Sequence, residues 1–513
     1  MNAKPNPSMS SKRLLLLLCA VLCAQISLAQ SPWRQGRNIA GVARTSSDVG
    51  QDASAELGGR FTSGEFRSPS DGQTLWTWEA QAEAEARVPD LILQGNFGFT
   101  LTQGTGMMGS MFTEPGYYPI DVLEFTPGTK VRQSYDIGGG LAWKNDSPWT
   151  PGGTVRFRGV NYAKRKDLRH TTYRQEIEVA PSLSYQGDGW MAGLSYIFEK
   201  TSEFITAEQV GQAKAESYYA FLDKGLRYGT QQVWDGSGIH LKEAGVDRLP
   251  VKEITHGVAV QASLGTCLYA DVEYAFSQGL VGEKGYNWFR FPGRRLEAKV
   301  IAALPGDAGK HLLRADFEWT RQDNYETVVE KDNHNGVTTP HEYGSNNIFQ
   351  KRTLSVGPSY SFAHGKGWQV ATSLTLQNDR ARSTMMYPYV DYDASTHLRW
   401  NVRAVVPLGR FTLLAGGMAG CKVGEHQHSF NYDNTELDVK SIPERLTSWY
   451  ERETEATDAT RISLSLALRY NFHIGPQWPL YVEAGCRWLH AFNIQLLPGC
   501  DRQTTHLTLG YNF

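Results

Sequence analysis

Residues 461–472 read Arg-Ile-Ser-Leu-Ser-Leu-Ala-Leu-Arg-Tyr-Asn-Phe. Ile462, Leu464, Leu466, Leu468, Tyr470 and Phe472 are apolar, and Arg461, Ser463, Ser465, Ala467, Arg469 and Asn471 between them are small or polar. Neighbouring side chains of a strand point to opposite faces, so this stretch has one face fit for lipid and one fit for water. Leu398, Trp400, Val402, Ala404 and Val406 alternate in the same way with His397, Arg399, Asn401, Arg403 and Val405. Trp368, Val370, Thr372, Leu374 and Leu376 do so with Gln369, Ala371, Ser373, Thr375 and Gln377.

Carried along the chain, this template predicts about eighteen strands, with sixteen as the alternative. Short turns such as Val88-Pro89-Asp90, Pro305-Gly306-Asp307 and Leu408-Gly409 alternate with long segments at 103–130, 202–255, 279–293, 324–350, 381–394 and 424–460. Alternating short and long connections predict an all-β, antiparallel up-and-down transmembrane β-barrel with long extracellular loops, and an even strand count places both termini in the periplasm. Trp76, Trp78, Trp143, Trp190, Trp319, Trp368, Trp400 and Trp488 fall at or near strand ends on the apolar face, as interfacial girdles require. Mean hydropathy is -0.41, which a barrel tolerates because only alternate residues meet lipid.

The N-terminus indicates export. Lys12 and Arg13 precede an apolar run from Leu14 to Leu22, too short to span, and Ser27-Leu28-Ala29 offers small residues for cleavage. The expected organisation is a signal peptide over 1–29, an N-terminal periplasmic or lumen-inserted segment over 30–50, and the barrel over 51–513. The chain ends Leu507-Thr508-Leu509-Gly510-Tyr511-Asn512-Phe513, apolar on one face and closed by an aromatic residue. This resembles the C-terminal insertion signal of Gram-negative outer-membrane barrels, with Tyr511 and Phe513 in the signal positions. The resemblance implies the outer membrane as location, its lipids as surroundings, and the barrel-assembly machinery as partner during insertion. The net charge of -2 and the lack of a basic stripe give no reason to expect nucleic acid.

The wall facing the lumen should carry charge. Its acidic residues lie mostly in the first half, at Glu79, Glu83, Glu85, Asp136, Glu176, Glu178, Asp271 and Glu273. Arg399, Arg403, Arg461, Arg469 and Arg487 lie in the second half, with Glu483 beside the last. Opposed walls would set a transverse field that selects and orients polar solutes. Alternatively, the charges pair with one another and with an inserted segment, closing the lumen. Residues 31–50 lack strand alternation and form the candidate plug, through Trp33, Arg34, Arg37 and Asn38.

Trp33 followed by Asn38-Ile39-Ala40-Gly41-Val42 and a barrel is similar to the start of long-chain fatty-acid transporter-like barrels. It resembles more closely a family of Bacteroidota outer-membrane barrels of unassigned function, a likeness that extends over the mature chain. That resemblance implies a surface-looped barrel and no activity.

In the largest loop, Thr206 to Gly225 has helix-forming composition and is expected to cap or enter the pore. His426 and His428, two residues apart, are weak metal candidates; Met107, Met108 and Met111, with Met385 and Met386, offer soft thioethers. The expectation is no resident cofactor. No Gly-x-Ser-x-Gly or paired His and Ser argues for catalysis, so an enzyme is not expected. The functional expectation is binding or passage of small polar or amphipathic solutes through a charged, loop-gated lumen. The alternative is a non-conducting accessory barrel that presents its loops to surface lipoproteins or to a TonB-dependent receptor.

Overall fold

The computed structural model describes residues 32–45, 50–166, 168–208, 219–233, 249–283, 286–334, 337–384, 390–429, 441–474 and 479–512. A short helix α1 (Ile39–Thr45) precedes β1 (Gly50–Gly64), β2 (Thr74–Val88), β3 (Leu91–Ser110), β4 (Asp121–Trp143), β5 (Trp149–Lys164), β6 (Arg169–Gln186) and β7 (Trp190–Glu208). A small hairpin, β8 (Tyr219–Gly225) and β9 (Tyr228–Val233), follows. Next come β10 (Leu249–Leu264), β11 (Leu268–Glu283), β12 (Tyr286–Gly306), β13 (Gly309–His334), β14 (Val337–His364), β15 (Gln369–Ser383), β16 (Asp391–Leu408) and β17 (Phe411–Lys422). The chain closes with β18 (Gln427–Ser429), α2 (Ser441–Asp458), β19 (Arg461–His473), β20 (Pro479–Ala491) and β21 (Asp501–Asn512).

Eighteen of these strands form the wall, each antiparallel to its neighbours, and β1 pairs with β21 from Ser54↔Asn512 to Gly64↔Arg502 to close it. Closure removes the free sheet edges that lipid could not satisfy. The outward face is apolar: Leu464, Leu466 and Leu468 of β19 are exposed, as are Val258 and Val260 of β10 and Val272 and Tyr274 of β11. Trp143 pairs with Leu91, and Trp78 with Leu101, so the two tryptophan levels lie ten residues apart along β3. At about 3.3 Å per residue and a tilt of about 40°, that is about 25 Å of height, the thickness of a barrel's apolar band. Among the described residues, no helix is long and apolar enough to cross a membrane.

Three expectations for the loops are corrected. The connections at 103–130 and 324–350 are largely strand: β3 runs on to Ser110, β4 starts at Asp121, and β13 and β14 form a hairpin ending at His334 and Val337. Thr206–Glu208 belongs to β7, and Tyr219–Gly225 is β8 rather than helix; the rest of that expected helix lies outside the described residues. Backbone pairing of β8 to Asp121–Glu124 of β4 and to β9 overrides the local helical composition. The helix α2 was not anticipated within 424–460.

An apolar core lies inside the long-loop end. Met111, Phe112, Tyr118 and Ile120, from the connection between β3 and β4, fold inward against Ile205, Leu249, Val281, Phe289, Phe291 and Ile348 of the wall. Leu123 and Phe221 meet Leu446 of α2 in a second cluster. The long-loop mouth is thus covered by one inward loop, one hairpin and one helix.

Candidate functional site

Residues 32–45 sit in the short-turn end of the barrel, where α1 packs on β4, β5 and β6. Trp33 is buried beside Tyr269, with ring centroids 5.3 Å apart, and its Nε1 donates to Ser263 Oγ at 3.1 Å. Asn38 caps α1 by accepting the Gly41 amide at 3.0 Å, while its Nδ2 donates to Gln261 Oε1 at 3.0 Å. Arg34 pairs with Glu85; Arg37 pairs with Glu178 and reaches Glu273 through Nε at 3.0 Å. Arg44 donates to the carbonyls of Asn145 and Ser147 in the turn before β5 and of Trp149 at its start. Burying carboxylates is costly unless cations partner them, so segment and wall depend on each other.

Gly193 forms part of the floor beneath this segment. A Cβ there would lie 2.4 Å from Asn38 Nδ2 and 2.8 Å from the Trp33 ring. Both side chains are buried, so Gly193→Val should expel the segment while leaving the wall intact. Proteolysis of intact and variant barrels checks this: residues 32–45 should become at least tenfold more sensitive in Gly193→Val, and equal sensitivity would refute the fit.

Beside the segment lies a lumen cavity of about 850 Å3. One wall, from β11 to β13, brings Asp271, Glu273, Glu297, Asp316 and Glu318, with Lys299 and Arg314 among them. Farther round the wall, the same cavity is lined by Arg403 of β16 and Arg487 of β20. The acidic wall is largely neutralised in place: Arg295 bridges Glu273 at 2.8 Å and Glu297 at 3.0 Å, and Arg314 bridges Asp316 at 2.6 Å.

The remaining sequence candidates separate into pairs and open positions. Glu79 is bridged by Arg60 at 2.8 Å, and Glu483 by Arg469 at 2.8 Å with His506 at 3.2 Å. Glu83 and Arg399 are exposed to the lumen. Tyr511 lies in β21 opposite Ala55, and Phe513 lies outside the described residues.

His426 sits between two carboxylates at the end of α2. Its Nδ1 meets Asp458 Oδ2 at 2.7 Å and its Nε2 meets Asp393 Oδ1 at 3.1 Å. His397 and Lys422 also bind Asp458, at 2.9 and 3.1 Å, and Tyr450 donates to Asp393. This network ties α2 to β16 and β17. The hydrogen bond to Asp393, then that to Asp458, raises the His426 pKa to about 9, so the ring is a cation at neutral pH. His428 packs edge-on against His426 at 5.6 Å. Among the described residues, no three His, Cys, Asp or Glu side chains group as metal ligands would. Arg227 stacks over the Tyr450 ring at 3.5 Å, joining the β8–β9 hairpin to the helix. Glu455 accepts the amides of Gln495, Leu496 and Leu497 at 2.7–2.8 Å, fixing the loop before β21 to the same helix.

No curated protein matches the chain in sequence. Among solved structures it is similar to BauA, the ferric preacinetobactin receptor from Acinetobacter baumannii. The two are 9% identical over 91% of this chain and 80% of that one, with a TM-score of 0.40. It is also similar to OpdO from Pseudomonas aeruginosa, with 12% identity over 90% and 97% and a TM-score of 0.32. A third likeness is to the FrpB iron transporter from Neisseria meningitidis, with 9% identity over 92% and 84% and a TM-score of 0.40. The family model that matches spans residues 43–513, which is all of the barrel wall, and the chain therefore belongs to the family of unknown function DUF6850.

Proposed function

We propose that this chain spans the outer membrane of a Gram-negative bacterium, with both termini in the periplasm, and binds and passes small polar or amphipathic solutes through its lumen. The observation that carries this reading is the cavity of about 850 Å3 lined by the acidic residues of β11–β13 and by Arg403 and Arg487. Its volume falls in the range of small-molecule sites, about 300–1,000 Å3. The covered mouth and the N-terminal segment would act as the two gates. The likeness of Asn38–Val42 to fatty-acid transporter-like barrels supports amphipathic cargo, and a Bacteroidota source belongs to the same proposal. Tyr511 and Phe513 would serve insertion by the assembly machinery into outer-membrane lipid.

Reversal potentials in a salt gradient across a planar bilayer test the proposal. Arg403→Ala with Arg487→Ala should lower the anion-to-cation permeability ratio several-fold. An unchanged ratio in a conducting barrel would remove these residues as a filter. A second reading rests on the closures at both ends: a non-conducting accessory barrel that offers its loops to surface lipoproteins or a TonB-dependent receptor. Silence from the intact chain and from every gate variant would favour it.

A further inference from the structure

The lumen charge is uneven in a way that points to a class of solute. On the first half of the wall, carboxylates have cations beside them, including two supplied by the N-terminal segment. On the second half, Arg399, Arg461 and Arg487 project into the lumen from β16, β19 and β20. Among the described residues, no carboxylate ion-pairs with any of the three. All three lie on one sector of the wall, formed by the neighbouring strands β16, β17, β19 and β20.

Register explains the convergence. Arg399 and Arg461 both pair with Gly420 of β17, so the two guanidiniums flank a position that has no side chain. Four residues toward the short-turn end, Arg403 and Arg487 flank the paired Gly416 and Ser465. A recess of about 40 Å3, lined by Arg399, Gly420 and Arg461, opens between the strands and the end of α2, while Arg403 and Arg487 line the large cavity. Two contacts hold the forks in place: Arg461 donates to the Ala456 carbonyl of α2 at 3.2 Å, and Arg487 Nε donates to Ser463 Oγ at 3.2 Å. Like charges gathered without a counter-charge are unfavourable, and guanidinium forks match planar or tetrahedral oxyanions in a bidentate manner.

We propose that Arg399 and Arg461, with Arg403 and Arg487 four residues farther toward the short-turn end, form a lumen site for a solute that carries two or more oxyanion groups. This inference rests on the solute-binding part of the proposed function. It does not require that the barrel conduct. The recess under α2 takes one oxyanion and the larger cavity takes the body and second charge of the solute. Occupancy would compete for Arg461 with the Ala456 carbonyl, coupling the site to the cap.

The test is calorimetric titration of the full-length barrel in detergent, with tripolyphosphate as the multivalent probe and inorganic phosphate as the monovalent-site probe. Tripolyphosphate should bind saturably, at least tenfold tighter than phosphate. Arg399→Ala with Arg461→Ala should weaken it at least tenfold, and Arg321→Ala, at a bridge to Asp323, should not. Arg399→Lys with Arg461→Lys keeps charge and fold but lacks the fork, and should recover only part of the affinity. No saturable binding, or equal binding by the alanine and unaltered barrels, overturns the inference. Binding without conductance in a bilayer keeps the site and removes only the passage reading.

Discussion

A chain lacking residues 32–45 is expected to conduct several times better than the full barrel, and a more modest version of the same effect is expected from Arg37→Ala. The reason is steric and electrostatic together. The segment fills the short-turn end with Trp33, Ile39 and Val42 buried against Ile92, Met191, Tyr269 and Ile301. Removing it leaves Glu85, Glu178 and Glu273 around a water-filled opening with their N-terminal cations gone. The new path should therefore favour cations. Arg37 is 30% exposed, whereas Glu178 and Glu273 are mostly buried. Breaking a fully buried pair costs about 3–5 kcal/mol; with partial exposure, Arg37→Ala should loosen the segment by about 2–3 kcal/mol. Hydrogen exchange of residues 38–45 measures that loosening, and single-channel recording measures the opening. Unchanged conductance and selectivity after deletion would show that the segment does not obstruct the path.

The wall was legible because each strand meets two different solvents. Arg461–Phe472 alternates along its full length, and β19 covers Arg461–His473. The mouth was not, because there both faces of a strand are covered by protein. In β8, Ala220, Phe221 and Leu222 are consecutive and all buried, so no alternation marks them as strand. The helix α2 did leave a signal: Leu446, Trp449, Tyr450 and Glu453 follow helical spacing, after a Pro443 suited to a first turn. Within the lumen, the charged residue types can be read from one strand at a time, but their partners cannot. Arg37 and Glu178 are 141 positions apart, and the meeting of Arg399 with Arg461 across Gly420 depends on the register of β17.

The second large effect concerns the cap: docking of α2 should weaken as pH rises from about 6.5 to about 9, and His426→Gln should abolish that dependence. His426 is held as a cation by Asp393 and Asp458, with its pKa raised from 6.5 to about 9. A group whose pKa is raised on folding contributes fully below its unfolded value and loses that contribution as pH passes the folded one. Asp458 works in the opposite direction. Burial opposes its ionisation, but hydrogen bonds from His397, His426 and Lys422 outweigh burial and hold its pKa below the ordinary 3.8. Its contribution is present above that ordinary value and fades as pH falls toward the lower one. The cap should therefore be held most firmly between about pH 4 and 6.5. The network is small and partly open to water in the mouth, so the loss by pH 9 should be about 1–3 kcal/mol. Amide exchange in 446–458, taken as the ratio of wild type to His426→Gln at each pH, cancels the intrinsic pH dependence of exchange. That ratio should lie well below one near pH 6 and approach one above pH 9. A ratio that stays flat would mean that the helix is held by Leu446 and Trp449 packing, with the His426 network making no net contribution.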